Sequence, residues 1–247
     1  MVGLTKGRYH VRFAQTREDI RAVQALRGRA FRLQKGENDV IDVDRYDEFY
    51  QHIMVYDAKS GHLICTFRIF QLSSGADIKS SYSAQYYELD TLKSFKGPMV
   101  EMGRFCIAPE VTDPDVLRVA WGAITRFVDQ SGIEMLFGCS SFQGIDPEEY
   151  RDSFALLKAK HQAPTRWLPR IKAPNVFRFG SKLPQKPDLK LAMLKMPPLL
   201  RTYLMMGGWV SDHAVIDRDL NTLHVFTGLE IRAIPPARKR LLRAVAS

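Results

Sequence analysis

Cysteine is scarce in this chain of 247 residues: Cys65, Cys106 and Cys139 are the only three. They lie far apart, with no C-x-x-C pair and no close Cys/His spacing. That excludes a disulfide framework and gives no zinc-binding pattern, so no metal is expected. A reducing, cytoplasmic location follows. Long uncharged apolar runs are also missing, so no segment reaches the length of a membrane span, and any membrane contact is peripheral. The opening "MVGLTKGRYHVRF" has no apolar stretch of the signal-peptide kind. There is no internal repeat and no low-complexity tract. Neither an RNP-like aromatic motif nor a basic helix with a dimerisation element is present, so nucleic acid is not an expected partner.

Acidic residues are nearly absent from one long stretch. Residues 151–201 hold 12 basic and 2 acidic side chains, a balance of +10, while the whole chain carries +9. The segment is either a solvated basic face or a docking surface for an acidic partner. Lys182, Lys186 and Lys190 are its candidate contacts. The tail "PPARKRLLRAVAS" adds four more cations and no acid, and "ENDVIDVDRYDEFY" (37–50) is its opposite, six acids against Arg45.

The apolar pattern predicts the elements. A strand is expected over 8–15 and a helix over 16–34 capped by Thr16. Two β-rich runs flank Lys59-Ser60-Gly61 as a hairpin. "PMVEMGRFCIA" reads as a strand and "DPDVLRVAWGAITRFVDQSG" as a helix stopped by Gly132. "IEMLFGCSSF" is the next strand and "DPEEYRDSFALLKAKH" the next helix. The proline-rich stretch 164–198 is expected as loop and short extended pieces that bury Trp167, Phe177 and Phe179. "PPLLRTYLMMGG" is helical and "LHVFTGLEI" a late strand. This order predicts an α/β fold, a mixed central sheet flanked by helices. A single domain over 1–247 is expected, its core about 8–163 and a basic C-terminal extension about 164–247 packed on it.

Within the strand "VEMGRFCIAP" stand Glu101 and Arg104, two ionisable side chains in an otherwise apolar run. They form a structural ion pair or face a cleft. A carboxylate on a strand can take a proton from an amine directly or through one water, which makes Glu101 the candidate general base, with Val100 and Phe105 as apolar walls. Arg27 and Phe31 lie four apart on one helical face, Asp44 and Asp47 sit in the acidic loop, and Arg68 lies on the hairpin's second strand. Arg27 can hold a carboxylate or lock the acidic loop. Arg68 and Arg104 do not titrate near neutrality and read as scaffolding or carboxylate-steering groups. "HIMVYD" fits an H-x4-D pattern, but residues five apart on a strand point to opposite faces. "HAVID" is one residue short of that pattern. "GCSSF" offers Cys139 and Ser140 without an Asp/His pair at motif spacing.

The series Arg27…Phe31, Asp44…Asp47, Arg68 and Glu101…Arg104-Phe105 resembles the acyl-homoserine lactone synthase branch of the GNAT acyltransferase fold over about residues 8–160. Nearly end to end, "SYSAQYYEL", "MVEMGRFCIAPE", "LFGCSSFQGIDP" and "PPLLRTYLMMGGWVSDHAVIDRDLNTLHVF" are similar to the ornithine-lipid N-acyltransferase family. That resemblance implies transfer of a 3-hydroxyacyl chain from acyl carrier protein to the α-amino group of ornithine, giving lyso-ornithine lipid. Glu101 would be catalytic, and Arg27, Phe31, Asp44, Asp47, Arg68 and Arg104 would bind substrate. Phe105, Ile107, Cys139, Ser140 and Ser141 would line the pantetheine channel. No resident cofactor is implied, because the donor carries its own phosphopantetheine. GNAT enzymes that use coenzyme A usually have a glycine-rich turn before the long helix. "IAPEVTDPDVLRVAWG" has no G-x-G there, and an acidic carrier protein suits the basic segment 151–201.

Three rival activities stay open: acylation of glutamine, acyl-homoserine lactone synthesis, and a non-catalytic module that binds an acidic protein. A lipid product also implies a peripheral place on the inner membrane. Its candidate contacts are the tail with Leu241, Leu242 and Val245, and "PPLLRTYLMMGGW" with Trp209 at its tip, for which packing on the core is the preferred reading.

Overall fold

The structure, a computed structural model, describes residues 3–32, 41–180 and 183–246. Glu37 and Asp39 of the acidic loop, the last two positions of the helix expected over 16–34, and Lys182 lie outside the described residues. In chain order the elements are β1 (Leu4–Lys6), β2 (Tyr9–Phe13), α1 (Arg17–Arg32), β3 (Gln51–Asp57), β4 (Leu63–Leu72), β5 (Tyr87–Glu88) and β6 (Met99–Ile107). There follow α2 (Asp115–Gln130), β7 (Met135–Gln143), α3 (Arg151–Lys160), β8 (Arg170–Ile171), β9 (Val176–Arg178) and α4 (Leu189–Lys195). The chain closes with α5 (Pro198–Met205), β10 (Trp209–Val210), β11 (His213–Asp217), β12 (Thr222–Glu230) and α6 (Pro236–Ala246). The fold is α/β with a mixed sheet flanked by helices, as the element order predicts. Among the described residues no helix is long and apolar enough to cross a membrane.

The chain forms two compact units. One comprises 1–70, 102–133 and 236–247, the other 71–101 and 134–235. In the first unit β1, β2, β3 and β4 form an antiparallel run, with Val11 opposite Val55 and Ile53 opposite Phe67. Helix α1 starts where the sequence places it. Thr16 Oγ1 accepts the Asp19 N–H (3.1 Å), and the Asp19 carboxylate accepts the Thr16 N–H (3.3 Å). These reciprocal bonds satisfy donors that the first helical turn leaves free. The α2 face buries Val116, Val119, Ala120, Ala123, Ile124 and Val128, the spacing of one helical stripe. Just before this helix the Asp113 carboxylate accepts the Asp115 N–H (2.9 Å), and Gly132, at φ +61, follows its end.

The tail forms α6, and α6 packs on α2. A Cβ added at Gly122 would lie 2.8 Å from Val245 Cγ1, so the absence of a side chain there lets the two helices approach. Arg243 pairs with Asp129 (2.8 Å), and the Lys6 ammonium donates to the Ala244 carbonyl (3.0 Å). Leu241, 60% exposed, points away from that contact.

In the second unit β7 and β12 pair antiparallel over nine residues, and β11 and β10 both pair with β12. Its aromatic core stacks Phe137, Phe226 and Trp209 at centroid distances of 5.8 and 5.9 Å. Trp209, the tip of the candidate contact "PPLLRTYLMMGGW", is thus part of the core, the reading preferred for that segment. The indole is 7% exposed and sits over Gly228, where an added Cβ would meet the ring at 2.4 Å. A correction concerns 164–198, expected as loop and extended pieces. Residues 189–195 there form α4, capped by the Asp188 carboxylate accepting the Leu191 N–H (3.0 Å).

Candidate functional site

Glu101 is 1% exposed and belongs to the second unit. Its Oε2 accepts the Tyr82 N–H (2.8 Å), and its Oε1 accepts the Ser83 N–H (2.7 Å) and the Ser83 hydroxyl (2.5 Å). The donors sit at the start of the 3₁₀ turn Ser83–Gln85, which has no side-chain cap of its own. The Glu101 carboxylate supplies the missing acceptor. Three donors on two oxygens suit the ionised form, which can only accept. Upstream, Gly75 allows the segment to fold back, since a Cβ there would lie 1.9 Å from the Leu92 carbonyl oxygen. The Ser83 hydroxyl also lies 3.4 Å from the half-buried Cys139 Sγ. Tyr203 of α5 is buried, and burial, then the Glu101 charge, pushes its phenol far above the usual range.

Arg104 belongs to the first unit and enters a different cluster. Its Nε donates to Asp42 Oδ2 (3.0 Å) and its Nη2 to Asp44 Oδ2 (2.9 Å). Arg27 grips Asp42 (2.7 Å) and Asp47 (2.6 Å). Arg68 holds Asp44 through both terminal nitrogens (2.6 and 2.7 Å), reaches Asp47 (2.6 Å), and lies over the Tyr46 and Tyr50 rings. The loop is also organised locally. The Asp44 carboxylate accepts the Tyr46 N–H (2.9 Å), and the Asp47 carboxylate faces the Asp44 N–H (3.4 Å). Arg27, Asp42 and Arg68 are each 1% exposed. Burial alone would raise the Asp42 and Asp47 carboxyls. The guanidiniums outweigh it, and Asp47 is brought down to about 2. Arg104 has φ +51, a left-handed backbone inside a strand that costs a non-glycine residue about 1–2 kcal/mol.

The structure thus gathers Arg27, Asp44, Asp47, Arg68 and Arg104 into one network and gives Glu101 donors from residues 82–83. Phe31 packs against the cluster of Leu26, Cys106 and Ala108. Phe105 stacks on Phe67 at 5.7 Å, while Ile107 is half-buried on the same strand. Along β7, Cys139 and Ser141 share one face and Ser140 takes the other, where Thr227 Oγ1 donates to its hydroxyl (2.9 Å). His52 and Asp57 have separate partners, Asp47 and Arg8. Asp42, Tyr82, Ser83 and Tyr203 were not singled out from the sequence. Asp42 was legible as the first acid of "DVDRYD". The backbone donors of 82 and 83 leave no signal in residue type. Among the described residues no group of three His, Cys, Asp or Glu side chains could hold a metal ion.

The family model described as "Acetyltransferase (GNAT) domain" matches residues 26–122, a stretch holding the whole aspartate network and Glu101. The L-ornithine N(alpha)-acyltransferase of Rhodobacter capsulatus is 28% identical over 238 residues, 92% of this chain and 91% of that protein. The protein of the same name from Brucella abortus is 29% identical over 243 residues, 92% and 86% of the two chains. This chain is a GNAT-superfamily acyltransferase. The acyltransferase also shares its fold with FeeM, an N-acyl amino acid synthase from uncultured soil microbes, with TM-score 0.51, 11% identity, and 92% and 94% of the chains covered.

The network gives the acyltransferase a defined response to acid. His52, beside Asp47, has its imidazole pulled down from 6.5 to about 4 by burial, against the opposing Asp47 charge. A depressed folded value means full stability above the unfolded value and loss as pH falls toward the folded one. The His52 contribution is therefore lost between pH 6.5 and about 4, up to about 3 kcal/mol. Asp47 adds a further loss from about 4 down to about 2. Urea titrations at pH 7, 6 and 5 should show a clearly shallower decline for His52→Asn than for the native chain. Equal slopes would remove His52 from the account.

Proposed function

We propose that this acyltransferase carries out the first step of aminolipid synthesis, moving a 3-hydroxyacyl chain from acyl carrier protein to the α-amino group of ornithine. The match to proteins named L-ornithine N(alpha)-acyltransferase over 92% of the chain carries this reading. In the mechanism Glu101 takes the proton of the α-ammonium, directly or through one water, and the free amine attacks the thioester. The carbonyl becomes tetrahedral, the C–S bond then breaks, and the proton shed by the new amide nitrogen goes to the phosphopantetheine sulfur, which leaves as the thiol. Ser83 and Tyr82 hold Glu101 in place through both steps. The aspartate–arginine network fixes the acidic loop, and Asp44, its most exposed carboxylate at 20%, is the member nearest to solvent.

The start of α2 supports carrier protein over coenzyme A as donor. The Asp113 carboxylate accepts the Asp115 N–H and the Tyr9 hydroxyl, so a fixed anion already occupies the helix start that would attract a diphosphate. Glutamine is the second acceptor to weigh, because Asp42, Asp44 and Asp47 already hold guanidiniums. A δ-ammonium would have to compete for them.

The deciding assay supplies purified protein with 3-hydroxyacyl carrier protein, or the matching coenzyme A thioester, and each of ornithine, glutamine, lysine and glycine. The expected result is the highest kcat/KM for ornithine with the carrier-protein donor. A preference for glutamine selects the second reading. Transfer to none of these amines overturns both.

A further inference from the structure

Helix α4 is built the wrong way round for a helix that serves only the core. Its sequence is LKLAMLK, and the residue it buries is the small one, Ala192. The large side chains point outward: Leu189 is 51% exposed, Leu191 38%, Met193 40% and Leu194 75%. Two hydrogen bonds tie it to α3 beside the buried Ala192. The Ser153 hydroxyl donates to the Ala192 carbonyl (2.9 Å), and the Asp188 N–H donates to Asp152 (2.8 Å). Four exposed aliphatic side chains on seven residues exceed the scattered apolar exposure normal for a soluble surface.

Lys186, Lys190 and Lys195 are all exposed, Lys190 among the apolar side chains of α4. Asp188 is the sole acid between 153 and 201, and its carboxylate is engaged as the α4 cap. Exposed aliphatic side chains interleaved with lysines match a bilayer surface, where aliphatic groups enter the acyl boundary and long lysine stems carry their ammonium groups out to anionic headgroups.

We propose that α4 is a membrane-docking element that seats this protein on an anionic lipid surface through Leu189, Leu191, Met193 and Leu194, with Lys186, Lys190 and Lys195 at the headgroups. A second copy of the chain fits less well, since it would bring like charges together across the face. An acidic carrier protein would satisfy the lysines and leave the aliphatic side chains without a role. The inference goes beyond the acyl-transfer reading, because lipid binding is measured without substrate.

The test uses the full chain and two variants, Leu189→Gln/Leu194→Gln and Lys190→Glu/Lys195→Glu. All four substituted positions are exposed, and circular dichroism confirms folding. Co-sedimentation is measured with vesicles of phosphatidylcholine alone and of equimolar phosphatidylcholine and phosphatidylglycerol. The native chain is expected to bind the anionic vesicles, more weakly as salt rises. Each variant should bind them at least on the order of 10-fold more weakly. Transfer from soluble donor to soluble amino acid, and the carrier-protein KM, should stay as in the native chain for the leucine variant. Binding indifferent to lipid charge, or variants that bind like the native chain, would overturn the proposal. A raised carrier-protein KM in both variants with unchanged vesicle binding would give the face to carrier protein. A dimer lost in the leucine variant, without vesicle binding by the native chain, would give it to a second copy.

Discussion

Replacing Glu101 with Gln is expected to lower acyl transfer on the order of 10²–10⁴-fold while the chain stays folded. The carboxylate is the group proposed to take the amine's proton, and a carboxamide cannot do so. The substitution also tests the geometry. Both carboxylate oxygens accept from N–H groups, Tyr82 on one and Ser83 on the other. The new amide can present oxygen to only one of them, leaving its NH₂ against a donor at a cost of about 1–3 kcal/mol. A modest drop in melting temperature should therefore accompany the kinetic loss. Ser83→Ala separates the two effects. It removes the hydroxyl bond at 2.5 Å and keeps the base, so it should cost stability and only part of the rate. The readout is single-turnover transfer from 3-hydroxyacyl carrier protein, beside thermal unfolding. Near-native turnover in a folded Glu101→Gln chain would sink the assignment and favour a non-catalytic role.

Removing Arg27 is expected to be the most destabilising single change in the first unit. Arg27→Met fills similar space but leaves Asp42 and Asp47, 1% and 5% exposed, short of a buried cation. Breaking one side of a buried ion pair costs about 3–5 kcal/mol, and a whole domain has only about 5–15 kcal/mol in reserve. Arg68→Met should fall at the low end, because its partner Asp44 is 20% exposed and water can replace part of what is lost. Adding Asp42→Asn to Arg27→Met should recover some stability by removing the stranded charge. Urea unfolding of the three variants checks this order. A loss below about 1 kcal/mol for Arg27→Met would mean the network does not hold the loop.

Much of the fold could be read from the sequence where local chemistry is self-sufficient. Thr16 marks the start of α1 in the residue pattern itself, and the apolar stripe of α2 with Gly132 marks its extent. Glu101 stood out because an ionisable group interrupted an apolar strand. Its partners did not stand out, because two of the three bonds come from main-chain N–H groups that any residue would supply. Asp42 was passed over although it lies two residues before Asp44. Only the folded chain shows that it accepts from Arg27 and Arg104 together. Helix α4 was missed because LKLAMLK has no inward apolar stripe to read, and its inward residue is a lone alanine. The partner of Trp209 could not be read, because the place of Gly228 beneath it arises from pairing across β10 and β12, which neighbouring residues do not encode.

The packing of α6 on α2 also fixes an order of events during synthesis. The first unit draws on three separated stretches, and all of 134–235 belongs to the second unit. At ordinary translation speeds, on the order of 5–20 s separate the appearance of α2 from that of α6. Throughout that interval the α2 surface around Gly122 lacks its covering helix. The β7–β12 ladder, by contrast, has both its strands before α6 exists. The earliest-made strands of the chain thus belong to the unit that is completed last.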